Sequence, residues 1–248
     1  MAFEFFGFRP YVSMAQRRAK ALREVARLQK KGRTITPVNL DGRLIAKTFW
    51  GKSWCENLER YSDYANRLPR GRTYVRNGSV IHLEIAPGKI DALVSGSEIY
   101  EVSIKISPVA RARWEAICKD CAGAIDSLIE LLQGRFSKAV MERICRQQTG
   151  LFPSPNEIHL DCSCPDGAYM CKHVAAVLYG VGARLDQQPE LLFRLANVDE
   201  KQLIAGAGQA PLKQKSPASK KVLAGEDLSA LFGLDLADNP RPKKPRKK

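Results

Sequence analysis

An α+β fold is predicted: a small antiparallel β-sheet packed with helices, joined to a cysteine-histidine-stapled β-hairpin and helix and followed by a disordered basic C-terminal tail. Three observations predict it. Residues 80–106 change polarity at strand period between turn dipeptides, helical patterns flank them on both sides, and three of the seven cysteines fall within ten residues beside a histidine. With 248 residues and 44% apolar side chains, the chain has material for a packed core in one or two domains.

Taken in order, residues 13–31 read as a basic helix. Ser13 is its N-cap and Gly32 its stop. Ala15, Ala19, Leu22, Val25, Ala26 and Leu28 give a ragged apolar stripe, and Arg17, Arg18, Lys20, Arg23, Arg27, Lys30 and Lys31 occupy the other faces. A second helix is expected from Ser53 to about Leu68 on Trp54, Leu58, Tyr61 and Ala65, ended by Pro69 and Gly71. Asn77-Gly78 favours a primed turn between paired strands. Val80 to Ile85 alternates in part, Pro87-Gly88 turns the chain, Ile90 to Val94 makes a further strand, and Tyr100 to Ile106 alternates cleanly. The expected result is an antiparallel meander with one wet face. Helices return at 109–122, 124–133 and 137–148. Beyond about residue 205 a flexible linker leads to the short island Leu228-Ser229-Ala230-Leu231-Phe232 and the tail NPRPKKPRKK.

Charge is segregated. Residues 1–52 hold 12 basic and 3 acidic side chains, and residues 211–248 hold 10 and 4. The middle holds 18 and 19, so the net +14 lies wholly in the two ends. A near-neutral body with basic arms suits a polyanionic partner such as DNA, read with weak sequence specificity. The competing reading is that basic ends only keep the chain in solution. The longest apolar run, Val174 to Ala183, is ten residues, too short for a membrane span, and the opening AFEFFGF is interrupted by Glu4. A cytoplasmic protein is expected, nucleoid-associated if it binds DNA, with no membrane partner and no evident small-molecule substrate. In that compartment cysteines are reduced thiols or metal ligands.

Cys162-Ser163-Cys164 and Cys171-Lys172-His173 place four zinc-type ligands within twelve residues. On a strand opening at Ile158-His159-Leu160, Cys162 and Cys164 project from one face. Pro165-Asp166-Gly167 turns the chain back, and Cys171 and His173 enter the apolar helical run that starts at Val174. Four ligands leave no open coordination position, so one structural Zn²⁺ is expected rather than a catalytic metal.

Cys-x-Cys, a spacer of six, then Cys-x-His, with the wording CPD and CKH, resembles the SWIM zinc finger. The stretches FWGKSWCENLERYSDYANRLPRGRTYVRNGSV and HVAAVLYGVGARLDQQPELLF also look like a bacterial SWIM finger protein, so the resemblance covers roughly residues 45–205. It implies Cys162, Cys164, Cys171 and His173 as zinc ligands, DNA or protein binding as the role, and a Swi/Snf-type DNA translocase as companion.

Other candidates are weaker. Cys118 and Cys121 fit a redox pair or half of another zinc site, but no second ligand pair lies near them. Buried thiols on one helix face are the preferred reading, as for Cys55. His82 and His159 are read as structural histidines, and Trp50 and Trp54 as core. Arg67, Arg70, Arg72 and Arg76 stand in an acid-free loop with Tyr74. They suit phosphate contact, or they pair with Glu56, Glu59 or Asp63. With Arg17, Arg18, Arg23 and Arg27 they make up the candidate nucleic-acid contacts. The Leu228–Phe232 island is expected to dock into a partner rather than fold back.

Four regions follow: a basic extension at 1–45, an α+β body at 46–150, the zinc finger and its helices at 151–205, and the tail at 206–248. No phosphate loop, nucleophile elbow or H-E-x-x-H motif is present. The expected function is a non-enzymatic, zinc-binding DNA- or protein-binding adaptor. A purely protein-protein scaffold is the alternative, and a DNA-processing or recombination enzyme subunit the remoter one.

Overall fold

The computed structural model describes residues 13–61, 66–122, 124 and 136–205. Its order is α1 (Met14–Lys30), α2 (Phe49–Glu59), α3 (Leu68–Arg76), β1 (Val80–Ala86), β2 (Lys89–Ser95), β3 (Ile99–Ile106), α4 (Arg111–Cys121), α5 (Lys138–Ile144), β4 (Ile158–Cys162), α6 (Lys172–Leu185), α7 (Leu191–Leu195) and α8 (Gln202–Ala205). The strands form one sheet in the order β1-β2-β3-β4, with each neighbouring pair antiparallel. The strand of the metal-binding segment is therefore the fourth strand of the body's sheet. Ile106 pairs with Ile158 and Val102 with Cys162.

The alternation in β1 is only partial because a bulge lies between Val80 and His82. Val80 and Leu83 pack in the main core, whereas Ile81 is turned to the opposite face against α1. β3 needs no such adjustment and keeps a regular in-out pattern.

α6 lies at the centre of the main core. His173 through Ala183 and Leu185 are buried, and a helix enclosed on all sides must be apolar on all sides. Close approach of two neighbouring helices requires glycine. A Cβ on Gly51 of α2 would stand 2.4 Å from the Gly182 carbonyl of α6, and one on Gly71 of α3 would stand 2.5 Å from Ala175 Cβ. Trp54 Nε1 donates to the Leu178 carbonyl at 2.8 Å across the same contact. This core draws on residues before and after 150, so the division expected there marks no break in the packing.

On the other sheet face α1 rests on Ile35, Ile81 and Leu93 through Ala21 and Leu28, with Val25 beside them. Ser13 caps it with a capping box, as its sequence position implies. The expected stripe is only partly the buried one: Ala15, Ala19, Leu22 and Ala26 face solvent, Leu22 with 66% exposure.

Three local expectations are corrected. The second helix starts at Phe49, not Ser53, because Asp186 from beyond α6 accepts from the Lys47 and Thr48 N–H groups and from Thr48 Oγ1. Residues 67–76 are not a loop. Pro69 sits in the first turn of α3, where its missing N–H has no helical partner to lose, and Gly71 is the contact with α6. Asn77-Gly78 ends α3 instead of joining two strands. Asn77 is the C-cap, and Gly78 takes φ +67° to turn the chain into β1. The helices expected at 109–122 and 137–148 are present but shorter. The helix expected at 124–133, the Leu228–Phe232 island and the basic tail lie outside the described residues, apart from Ala124.

Candidate metal centre

Ile158, Leu160 and Cys162 share one face of β4. Ser163 carries the ladder one step further, donating its N–H to the Glu101 carbonyl at 3.0 Å and accepting from the Glu101 N–H at Oγ, also at 3.0 Å. The returning loop is held at two points. Asp166 Oδ1 accepts from the Ala168 N–H at 3.3 Å and meets Arg67 of α3 at 3.4 Å, and the Tyr169 hydroxyl donates to the Ile158 carbonyl at 2.7 Å. Cys171 then serves as N-cap of α6, its sulfur accepting from the Val174 N–H at 3.5 Å. Two residues on, His173 is buried with only 2% exposure.

The sulfurs of Cys162, Cys164 and Cys171 and a ring nitrogen of His173 all lie within 4.8 Å of one another. His173 Nδ1 is 3.8 Å from both Cys162 Sγ and Cys171 Sγ. Tetrahedral zinc, with bonds of about 2.3 Å to sulfur and about 2.0 Å to nitrogen, holds such donors about 3.6–3.8 Å apart. The donor set and spacing therefore fit one structural zinc ion, ligated by Cys162, Cys164, Cys171 and His173. The hydrogen bond shared by Cys162 and Cys171 sets the thiol acidities. It lowers Cys171, helped by His173 and the Val174 N–H, and raises Cys162.

His173 has an aromatic enclosure that sequence reading missed. Tyr100 of β3 stacks on it with ring centroids 4.3 Å apart and planes 23° apart, and Tyr74 of α3 meets it edge-on at 5.4 Å. Nε2 is buried and finds no hydrogen-bond partner among the described residues. Nδ1 is thus the nitrogen facing the thiols. No local spacing encodes this enclosure, because its two tyrosines come from separate elements.

His159 lies on the opposite face of β4 from Cys162 and is exposed, so it is not part of the site. Cys118 and Cys121 lie on α4, and burial raises both thiols, Cys118 to about 11. Cys55, against Gly182 of α6, is pushed to about 12, first by burial. Among the described residues no second set of three or more metal-ligating groups converges.

The candidate basic residues separate. Arg67 pairs with Asp166, Arg72 with Glu59 at 3.7 Å, and Arg27 with Glu24 at 2.5 Å. Arg23 Nε donates to the Ala19 carbonyl, and Arg76 Nε donates to the Arg43 carbonyl at 3.0 Å. Arg18 and Arg70 are exposed. Arg17 lies over the Tyr74 ring at 6.0 Å, and Lys172, between two metal ligands, lies over the same ring at 5.9 Å. Lys172 is a further basic residue beside this ring, missed in the sequence because Tyr74 belongs to a different helix.

Residues 150–181 match the SWIM zinc finger family. The chain is also similar to the uncharacterized protein Rv2102 of Mycobacterium tuberculosis, with 32% identity over 178 residues. The match spans 71% of this chain and 64% of the length of that protein. No solved structure matches the chain. Among the described residues no helix is long and apolar enough to cross a membrane.

Proposed function

We propose, from the SWIM zinc finger carried at residues 150–181, that this chain is a non-enzymatic adaptor that binds DNA through its phosphate backbone and works beside a Swi/Snf-type DNA translocase. The observation that carries the DNA half is that Arg17 and Lys172 each lie over the Tyr74 ring. The ring they share supports reading α1, α3 and the start of α6 as one basic face, flanked by exposed Arg18 and Arg70. Guanidinium and ammonium groups grouped in this way suit phosphates rather than base edges, so binding is weakly sequence-specific and strongly salt-dependent. The metal's part is structural: it fastens β4 to α6.

The test is binding of the zinc-loaded chain to duplex and single-stranded DNA across a salt series. The expected outcome is a linear fall of log affinity with log salt, with a shallower slope in Arg17→Glu and Lys172→Glu variants. Absence of binding at low salt would remove the DNA half. A second reading, a scaffold for an acidic protein, is favoured by the exposed Leu22 among the arginines of α1. Capture of a translocase that survives nuclease treatment and needs Leu22 would select it. The translocase half in either reading is tested by pull-down from native cells scored for an ATP-driven partner.

A further inference from the structure

The first two turns of α1 lack the anchor that holds the rest of the helix. Ala21, Val25 and Leu28 pack on the sheet, whereas the described side chains from Ala15 to Lys20 join no apolar cluster. Two polar contacts hold this end instead. Lys20 Nζ donates to the Ser97 carbonyl in the β2–β3 turn, and Arg17 covers Tyr74.

Both contacts end on the same imidazole. Ser97 Oγ and the Tyr100 hydroxyl are 2.6 Å apart, and the Tyr100 ring stacks on His173. The turn is pressed close to that pair: a Cβ on Gly96 would stand 2.8 Å from Tyr100 Cε2 and 3.2 Å from His173 Nε2. Tyr74, under Arg17, meets His173 edge-on.

We propose that His173, when ligated, is the seat of the basic helix: zinc holds the ring that Tyr100 and Tyr74 pack against, and these two position the N-terminal half of α1. The physical reason is the state of the ring. A buried imidazole with one unpartnered nitrogen carries a desolvation cost, and a metal bond to the other nitrogen keeps it in place regardless. Without that bond the ring gains by turning towards water, which removes the surface under both tyrosines. The basic face is then assembled only in the zinc-loaded protein. This last step, as it concerns DNA, rests on the function proposed above.

Hydrogen exchange on the full chain, read by mass spectrometry, tests the seating directly. Chelation is expected to speed exchange of 14–20 by about tenfold or more relative to 90–94 in β2, which reports the fold as a whole. A zinc-loaded Tyr74→Leu/Tyr100→Phe variant keeps the core apolar and separates seating from unfolding. It is expected to retain one zinc per chain and speed exchange of 14–20 by about fivefold, the scale of one lost cation–π contact or neutral hydrogen bond. Unchanged exchange of 14–20 in that variant, or on chelation, overturns the proposal. Duplex affinity is measured on the same samples. If exchange responds and affinity does not, the seating stands and the DNA reading of this face fails. If affinity is salt-dependent and exchange does not respond, the reverse holds.

Discussion

Cys171 has two roles, as a zinc ligand and as the N-cap of α6, where its sulfur accepts a backbone N–H that no helical carbonyl can reach. A hydroxyl in its place keeps a cap and loses a soft ligand. Cys171→Ser should therefore abolish stoichiometric zinc and lower stability by about 3 kcal/mol or more, roughly 6–12 °C in melting temperature. Metal analysis and a thermal melt check both, and an unchanged metal content would contradict the ligand assignment. Thiol reactivity gives an independent measure. Burial raises Cys55 to about 12 and Cys118 to about 11, so neither is appreciably thiolate at neutral pH. Iodoacetamide should label Cys162, Cys164 and Cys171 only after chelation, with Cys55 slow throughout; fast labelling of the three in zinc-loaded protein would argue against metal ligation. The four ligands were legible because they fall within twelve residues and their spacing suits one tetrahedron. Lys172 was not, since its partner Tyr74 belongs to a different helix.

Among the elements, α6 sets the terms for its neighbours. The apolar run from Val174 announced a buried helix, and all-round burial follows from its position between the sheet and α2 and α3. Gly51 has a backbone carbonyl 2.4 Å from where a Cβ would stand, and a carbonyl in a helix has little freedom to retreat. Gly51→Ala should cost about 2 kcal/mol or more in denaturant unfolding with zinc still bound. A neutral result would mean that the two helices slide apart freely. The start of α2 shows why local signals failed there: the N–H groups of Lys47 and Thr48, just ahead of the helix, are met by Asp186, far along the chain. The same holds for α3. Pro69 and Gly71 read as breakers in one dimension, yet one sits where proline is tolerated and the other where only hydrogen fits.

At the scale of the whole molecule, the described zinc finger belongs to the body: β4 completes its sheet and α6 fills its core. Metal binding and folding are therefore linked, and affinity for zinc should fall as pH drops and protons compete for the three thiolates and the imidazole. Residues 211–248, with 10 basic and 4 acidic side chains, supply charge without any of the metal ligands. Deleting them should weaken duplex binding and make its salt slope shallower, with zinc content and melting temperature unchanged. Loss of zinc on that deletion would contradict the separation of roles.

From the chain alone one could read the metal, its four ligands, the meander of β1 to β3, the basic helix and the charge at both ends. All are short-range patterns: ligand spacing, strand alternation, a capping box, a composition shift. Tertiary structure decided which face of α1 is buried, which arginines are neutralised by Asp166, Glu59 and Glu24, and which tyrosines enclose His173. Those outcomes depend on pairs of residues brought together from separate elements. Local periodicity carries no record of them, because burial and pairing are settled only when the sheet and α6 close on each other.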